Sequence, residues 1–165
     1  MKYLLCLISF VCFVTTGWSE EANGLRLTGQ KTLLEKSKDR DAFYQWDKVD
    51  KALGIKVFAR NISIKDFPEG TLDYVVIVKR WGHTPYVYES YSGSEKLGAL
   101  LKGAETTLTV AKVPIRGYEI GGNRKQYQDS VEGWRLTVKH EGKDTITITS
   151  TNSFDKLLAR AKPGR

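Results

Sequence analysis

The densest set of side chains suited to recognition chemistry lies between positions 81 and 91, where Trp81, Tyr86, Tyr88 and Tyr91 fall close together. Such rings offer an apolar face and a polar edge, so they stack on sugar C–H faces and anchor protein interfaces equally well. By strand alternation Tyr86 and Tyr88 share one face, with Tyr91 on the other beside Val87 and Glu89. Trp81 falls on the Asp73 and Lys79 side of the preceding strand. If that strand leaves the sheet, Trp81 and one tyrosine set make a ligand platform; otherwise the rings are ordinary cross-strand packing. A second candidate surface is Arg124, Lys125, Tyr127 and Gln128, because binding residues gather on loops held by rigid scaffolds.

Other chemistries lack a pattern. His83 sits in the turn Trp81-Gly82-His83-Thr84-Pro85 and His140 at a strand end, with no spacing that clusters them as metal ligands. No Gly-x-Ser-x-Gly elbow marks a nucleophile, and Ser92-Gly93-Ser94 reads as a loop. Asp73, Glu89, Asp129 and Glu132 can supply paired carboxylates only if the fold brings them together. Gly121-Gly122-Asn123 and Gly142-Lys143-Asp144 are turns and not phosphate cradles. No catalytic residue, metal or cofactor is expected. An enzymatic alternative needs a site built from loops around His83 or 118–133.

The elements that must hold these residues are strands. Leu53, Ile55, Val57 and Ala59 alternate with Lys56, Phe58 and Arg60. Lys48 to Lys51 reads as a turn. Thr71 to Trp81 is the strongest strand, apolar on both sides at 74–78, so both its faces need cover. Tyr86 to Tyr91 is a shorter strand. Ser92 to Gly103 reads as a loop with a helical turn at Lys96 to Leu101. Glu105 to Val113 is a strand that stops near Pro114, and Tyr118 to Gly133 is irregular. Trp134, Leu136 and Val138 alternate with Arg135, Thr137 and Lys139, and Glu141-Gly142-Lys143-Asp144 closes a hairpin to Thr145–Ser150. Ser153 caps a terminal helix with Phe154, Leu157, Leu158 and Ala161 on one face, and Pro163-Gly164 stops it. That helix or the leading segment is the candidate cover for Thr71–Trp81. Lys56, Arg60, Arg135 and Lys139 form a basic stripe only if their strands adjoin.

Seven to eight short strands with turns every eight to twelve residues predict an all-β sandwich with a short C-terminal helix. Val57-Phe58-Ala59-Arg60-Asn61-Ile62-Ser63 resembles the second strand of bacterial secreted immunoglobulin-like or fibronectin type III-like modules. Leu101-Lys102-Gly103-Ala104-Glu105-Thr106-Thr107 is similar to the approach to a later strand of those modules, with Lys102 where proline is common. The Trp134 strand and its hairpin look like the last two strands. The resemblance covers Ala42 to Ser150 and implies an immunoglobulin-like fold, not a function. The Cys…Trp…Cys pattern of antibody domains is absent.

The amino terminus carries an address. Met1-Lys2, the apolar run Tyr3–Val14 and Gly17-x-Ser19 before Glu20-Glu21 read as a secretory signal peptide cut after Ser19. Both cysteines, Cys6 and Cys12, lie within it, and Ser9-Phe10-Val11 before Cys12 does not fit a lipid-anchor signal. The expected division is 1–19 signal peptide, 20–41 polar leading segment or edge strand, 42–150 β-sandwich domain, and 151–165 helix and tail. The chain carries 26 Lys+Arg against 19 Asp+Glu, a balance of +7 that loses one unit with Lys2. The charges are interspersed, which favours solubility and gives only a weak field toward anions. Asn61-Ile62-Ser63 fits an N-glycosylation acceptor in a eukaryotic host. The expectation is a secreted or periplasmic, non-catalytic module with a protein-interaction or envelope-structural role. The alternative is carbohydrate or envelope-polymer binding through the aromatics. The expected partner is a protein or an anionic envelope polymer, not nucleic acid, and no transmembrane segment is expected after signal cleavage.

Overall fold

A computed structural model describes residues 18–40, 46–120 and 126–164. Among them ten strands form two five-stranded sheets. The first sheet contains β1 (Trp18–Ala22), β2 (Leu25–Arg40), β3 (Trp46–Asn61), β6 (Glu105–Ile120) and β7 (Gln126–Gln128), in that spatial order. The second contains β10 (Ala161–Pro163), β5 (Val87–Leu97), β4 (Gly70–Arg80), β8 (Ser130–His140) and β9 (Lys143–Thr149). Neighbouring strands are antiparallel except β10, which runs parallel to β5.

Alternation puts one apolar row of each strand between the sheets. Leu27, Val57 and Ile115 from the first sheet meet Leu72, Val76, Trp134, Leu136 and Ile148 from the second in one buried cluster. Gly29 sets how closely the sheets approach: a Cβ there would lie 2.5 Å from Trp134 Cη2 and 2.9 Å from Leu136 Cδ1.

The other face of β4 is covered as its double-sided apolar pattern requires. Helix α1 (Phe154–Leu158) lays Phe154, which is 1% exposed, against Ile77 and Tyr88, with Val75 and Leu157 at the margin. Gly133 leaves room for it, since a Cβ there would meet Phe154 Cδ2 at 3.3 Å. The Arg135 guanidinium closes the far side of the Phe154 ring, 4.4 Å from its centre. The β8–β9 turn has Glu141 and Gly142 both at positive φ (49° and 74°), the conformation that two-residue hairpins favour.

The elements differ from the sequence expectation mainly in length. Lys48–Lys51 is not a turn; it continues β3, with Lys48 paired to Asp50 and Lys51 donating to Gln128 Oε1. Polar residues survive there because the strand is laddered on both sides. Ser92–Leu97 is strand rather than loop, held to 70–75 of β4. β6 does not stop at Pro114. The Pro114 carbonyl accepts from Arg80 and so faces away from β3, which places its nitrogen where no ladder bond is needed. A bulge at Ala111, φ 63°, precedes it. In 118–133 the described residues are largely strand, and 121–125 lie outside them. The helix is shorter than its apolar spacing suggested. Ser153 makes no capping side-chain bond, and Ala161 belongs to β10.

The leading segment forms β1 and β2, the latter paired with β3 along almost its whole length. The signal-peptide reading falls on residues 1–17, outside the described residues; cleavage after Ser19 would take Trp18 and Ser19 from β1. Lys56 and Arg60 lie on β3 and Arg135 and Lys139 on β8, in different sheets, so they make no common stripe. Asn61 is fully buried. Its Nδ2 donates to the Lys65, Leu100 and Leu101 carbonyls, and its Oδ1 accepts from Ser63, tying the 62–66 and 98–104 loops together.

Candidate functional site

On one flank, where β5 meets β6, residues of both strands with the end of β4 and β10 line a cavity of about 830 Å³. Its floor is built on Arg80, the last residue of β4. Arg80 shares the strand face of Leu72, Val76 and Val78, and an arginine on a core-facing row must be paired. Every guanidinium N–H is used. Nε donates to Glu89 Oε2 at 2.8 Å, Nη2 to Glu89 Oε2 and the Tyr91 hydroxyl, and Nη1 to the Pro114 carbonyl at 2.9 Å and Asp129 Oδ2 at 2.6 Å. Asp129 is 5% exposed and bridges the sheets. Its carboxylate also accepts from the backbone N–H groups of Trp81 and Arg116, and its own N–H donates to the Arg116 carbonyl.

This saturation fixes the electrostatics. Hydrogen bonding to Arg80 holds the Glu89 carboxyl below its ordinary value against partial burial, so it is ionised at neutral pH. Burial, followed by its bond to Glu89, pushes the Tyr91 hydroxyl up, so it remains a phenol. What is left for a ligand is Glu89 Oε1, which has no hydrogen bond among the described residues, and the side chains of Arg116 and Lys162 on the rim.

Aromatic rings form one side of the cavity. Trp81 is 45% and Tyr118 36% exposed, with ring centres 6.1 Å apart. Tyr127 lies 5.4 Å from Trp81, and Trp46, 41% exposed, lies 6.1 Å from Tyr118. Four strand ends thus gather four rings. The carboxyl-terminal strand also lines the cavity through Lys162 and Pro163, while Gly164 lies on the Tyr91 ring, 2.5 Å from it if a Cβ were added.

The structure divides the expected platform. Trp81 and Tyr91 line the cavity. Tyr86 is exposed but stands over Lys79, whose Nζ is 3.5 Å from the ring centre, beside a different hollow. Tyr88 is buried beneath Phe154 and Arg160, because alternation turns it to the helix-covered face. Of the expected loop surface, Tyr127 joins the ring cluster and Gln128 is engaged by Lys51, while Arg124 and Lys125 lie outside the described residues. His83 is exposed at the rim. Of the four carboxylates, Glu89 and Asp129 meet on Arg80, whereas Asp73 pairs with Lys139 and Glu132 accepts from Ser130. Sequence reading missed Arg80, Arg116, Tyr118 and Trp46. Arg80 had a signal, a charge on the inward row of an apolar strand; the other three had none.

Comparison with family models, curated proteins and solved structures finds no match to this chain.

Proposed function

We propose that the chain is an exported, non-catalytic binding module that holds a polysaccharide in the cavity between β5 and β6. The carrying observation is the pair of half-exposed rings, Trp81 and Tyr118, standing over polar groups with unused bonding capacity. Apolar faces with a few placed polar groups are the pattern of a ligand seat. A sugar ring presents C–H faces to the indole and phenol and hydroxyls to Glu89 and Arg116.

A peptide partner is disfavoured at this place. Adding a strand needs free backbone groups, and the β6 edge is occupied at 114–116 by Arg80 and Asp129. Proline and charge at an edge are the usual guards against strand addition. The strand order supports an immunoglobulin-like or fibronectin type III-like reading of the fold. β3 and β6 share one sheet while β4, β8 and β9 share the other, like strands B and E against C, F and G. The export reading rests on the leader-like first nineteen residues.

The test is retention of purified protein in gels containing dissolved polysaccharides. Wild type is expected to be slowed by at least one polymer. Trp81→Ala and Tyr118→Ala are each expected to weaken that binding about tenfold, near 1.4 kcal/mol, with the thermal midpoint little changed. Binding that both variants retain would remove the reading.

A further inference from the structure

The cavity is one end of a longer groove. A second cavity, about 810 Å³, shares Tyr91 and Pro114 with the first and continues toward Lys112, Lys36 and Lys51. Along β6 the path from Tyr118 to Lys112 is roughly 20 Å at strand spacing. A single sugar would leave most of it empty.

The groove also carries a sign. The two cavities are lined by six lysine and arginine side chains against four carboxylates. Three of those carboxylates already have cationic partners beside them: Glu89 and Asp129 on Arg80, and Glu35 on Lys112. The fourth, Asp50, pairs with Lys48 outside the groove. The side chains of Arg116 and Lys162 make no hydrogen bond or ion pair with the described residues, and the Arg116 charge helps to keep Glu89 ionised. They line the same cavity as Trp81 and Tyr118, Arg116 from β6 and Lys162 from β10.

From this we infer that the ligand is a linear acidic polysaccharide that starts at the rings between β5 and β6 and passes Pro114 across β6 toward β3 and β2, with its carboxylates on Arg116 and Lys162 and one sugar face on Trp81 and Tyr118. This rests on the polysaccharide reading above and adds the ligand's charge and direction. Lys112 would meet the chain at the far end of the groove. A charged polymer held only by the protein's net charge would not depend on a neutral ring, which makes Trp81 the internal control.

The experiment measures binding of the full chain to polygalacturonate, alginate and hyaluronan, each beside its carboxyl-reduced form, with disaccharide and hexasaccharide fragments as competitors. At least one acidic polymer should bind about tenfold tighter than its reduced form at low salt. Arg116→Gln and Lys162→Gln should each erase most of that preference, weakening the acidic form far more than the reduced form. Lys112→Gln should weaken the hexasaccharide and not the disaccharide. Equal binding of acidic and reduced forms overturns the acidic assignment while leaving the module reading intact. Acidic binding that survives Trp81→Ala, or a disaccharide that competes as well as the hexasaccharide, overturns the placement. If no polymer binds, acidic or reduced, the module reading falls as well.

Discussion

Arg80 is the residue on which the flank between the sheets depends. A guanidinium presents five donors in a fixed plane, and here five contacts on four partners receive them. Lysine offers a point charge with three donors, so Arg80→Lys is not conservative. Its side chain is 13% exposed, and removing it strands the buried Asp129. Arg80→Leu is expected to cost about 3–5 kcal/mol, read as a fall in urea-unfolding free energy. Arg80→Lys should recover only part. Acid should act through the other carboxylate on Arg80, that of Glu89. The folded-state pKa of Glu89 lies below its ordinary 4.5, so its stabilisation is complete above that value and is lost as pH falls through the lowered one. Urea midpoints measured from about pH 7 down to about pH 2 should therefore fall below the ordinary glutamate value, and the fall should be smaller in Arg80→Leu.

At the scale of elements, α1 and β10 are a strap that finishes the site. The five-residue helix is too short to stand alone and depends on burying Phe154 over Ile77. Phe154→Ala is expected to cost about 3 kcal/mol. Amide exchange should rise across 151–164 before it rises in β4, and ligand affinity should drop with it, because Lys162 and Pro163 wall the cavity. β2 is constrained differently. Gly29→Ala pushes a methyl into Trp134 and Leu136, which are 2% and 0% exposed. It should cost about 1–3 kcal/mol by overpacking, seen as a lower thermal midpoint.

For the whole molecule, the two sheets share the larger buried cluster, and the small one under Phe154 lies on the outer face of the second sheet, so the first sheet has no core apart from the second. Far-ultraviolet circular dichroism and tryptophan fluorescence should give coincident urea transitions; separated transitions would mean the sheets unfold independently. The end with the 62–66 and 98–104 loops is tied by Asn61, whose side chain is fully buried and fully bonded. The Asn61-Ile62-Ser63 triplet is thus closed to glycosylation in the folded state. Protein folded before exposure to a glycosyl donor should carry no glycan there by mass spectrometry.

Much of the fold is local and was readable. Alternation from Leu53 to Ala59 and from Trp134 to Val138 identifies strands and their inward rows, because the strand period is a property of consecutive residues. The double-sided β4 demanded an outer cover, and the spacing of Phe154 and Leu157 offered one. The β8–β9 hairpin was legible because its turn needs only Glu141 and Gly142. Strand lengths were less so, since Lys48–Lys51 and Ser92–Leu97 are polar and their pairing partners lie far along the chain. Beyond Trp81 and Tyr91, the site belongs to that second kind. Arg80 meets Asp129 across 49 positions, and Trp81 meets Tyr118 across the gap between sheets. Which of four neighbouring aromatics faces a ligand depended on what covers each face of β5. Tyr88 went under the helix and Tyr91 to the groove, because side-chain alternation is written in consecutive residues whereas contact is decided by where the rest of the chain packs.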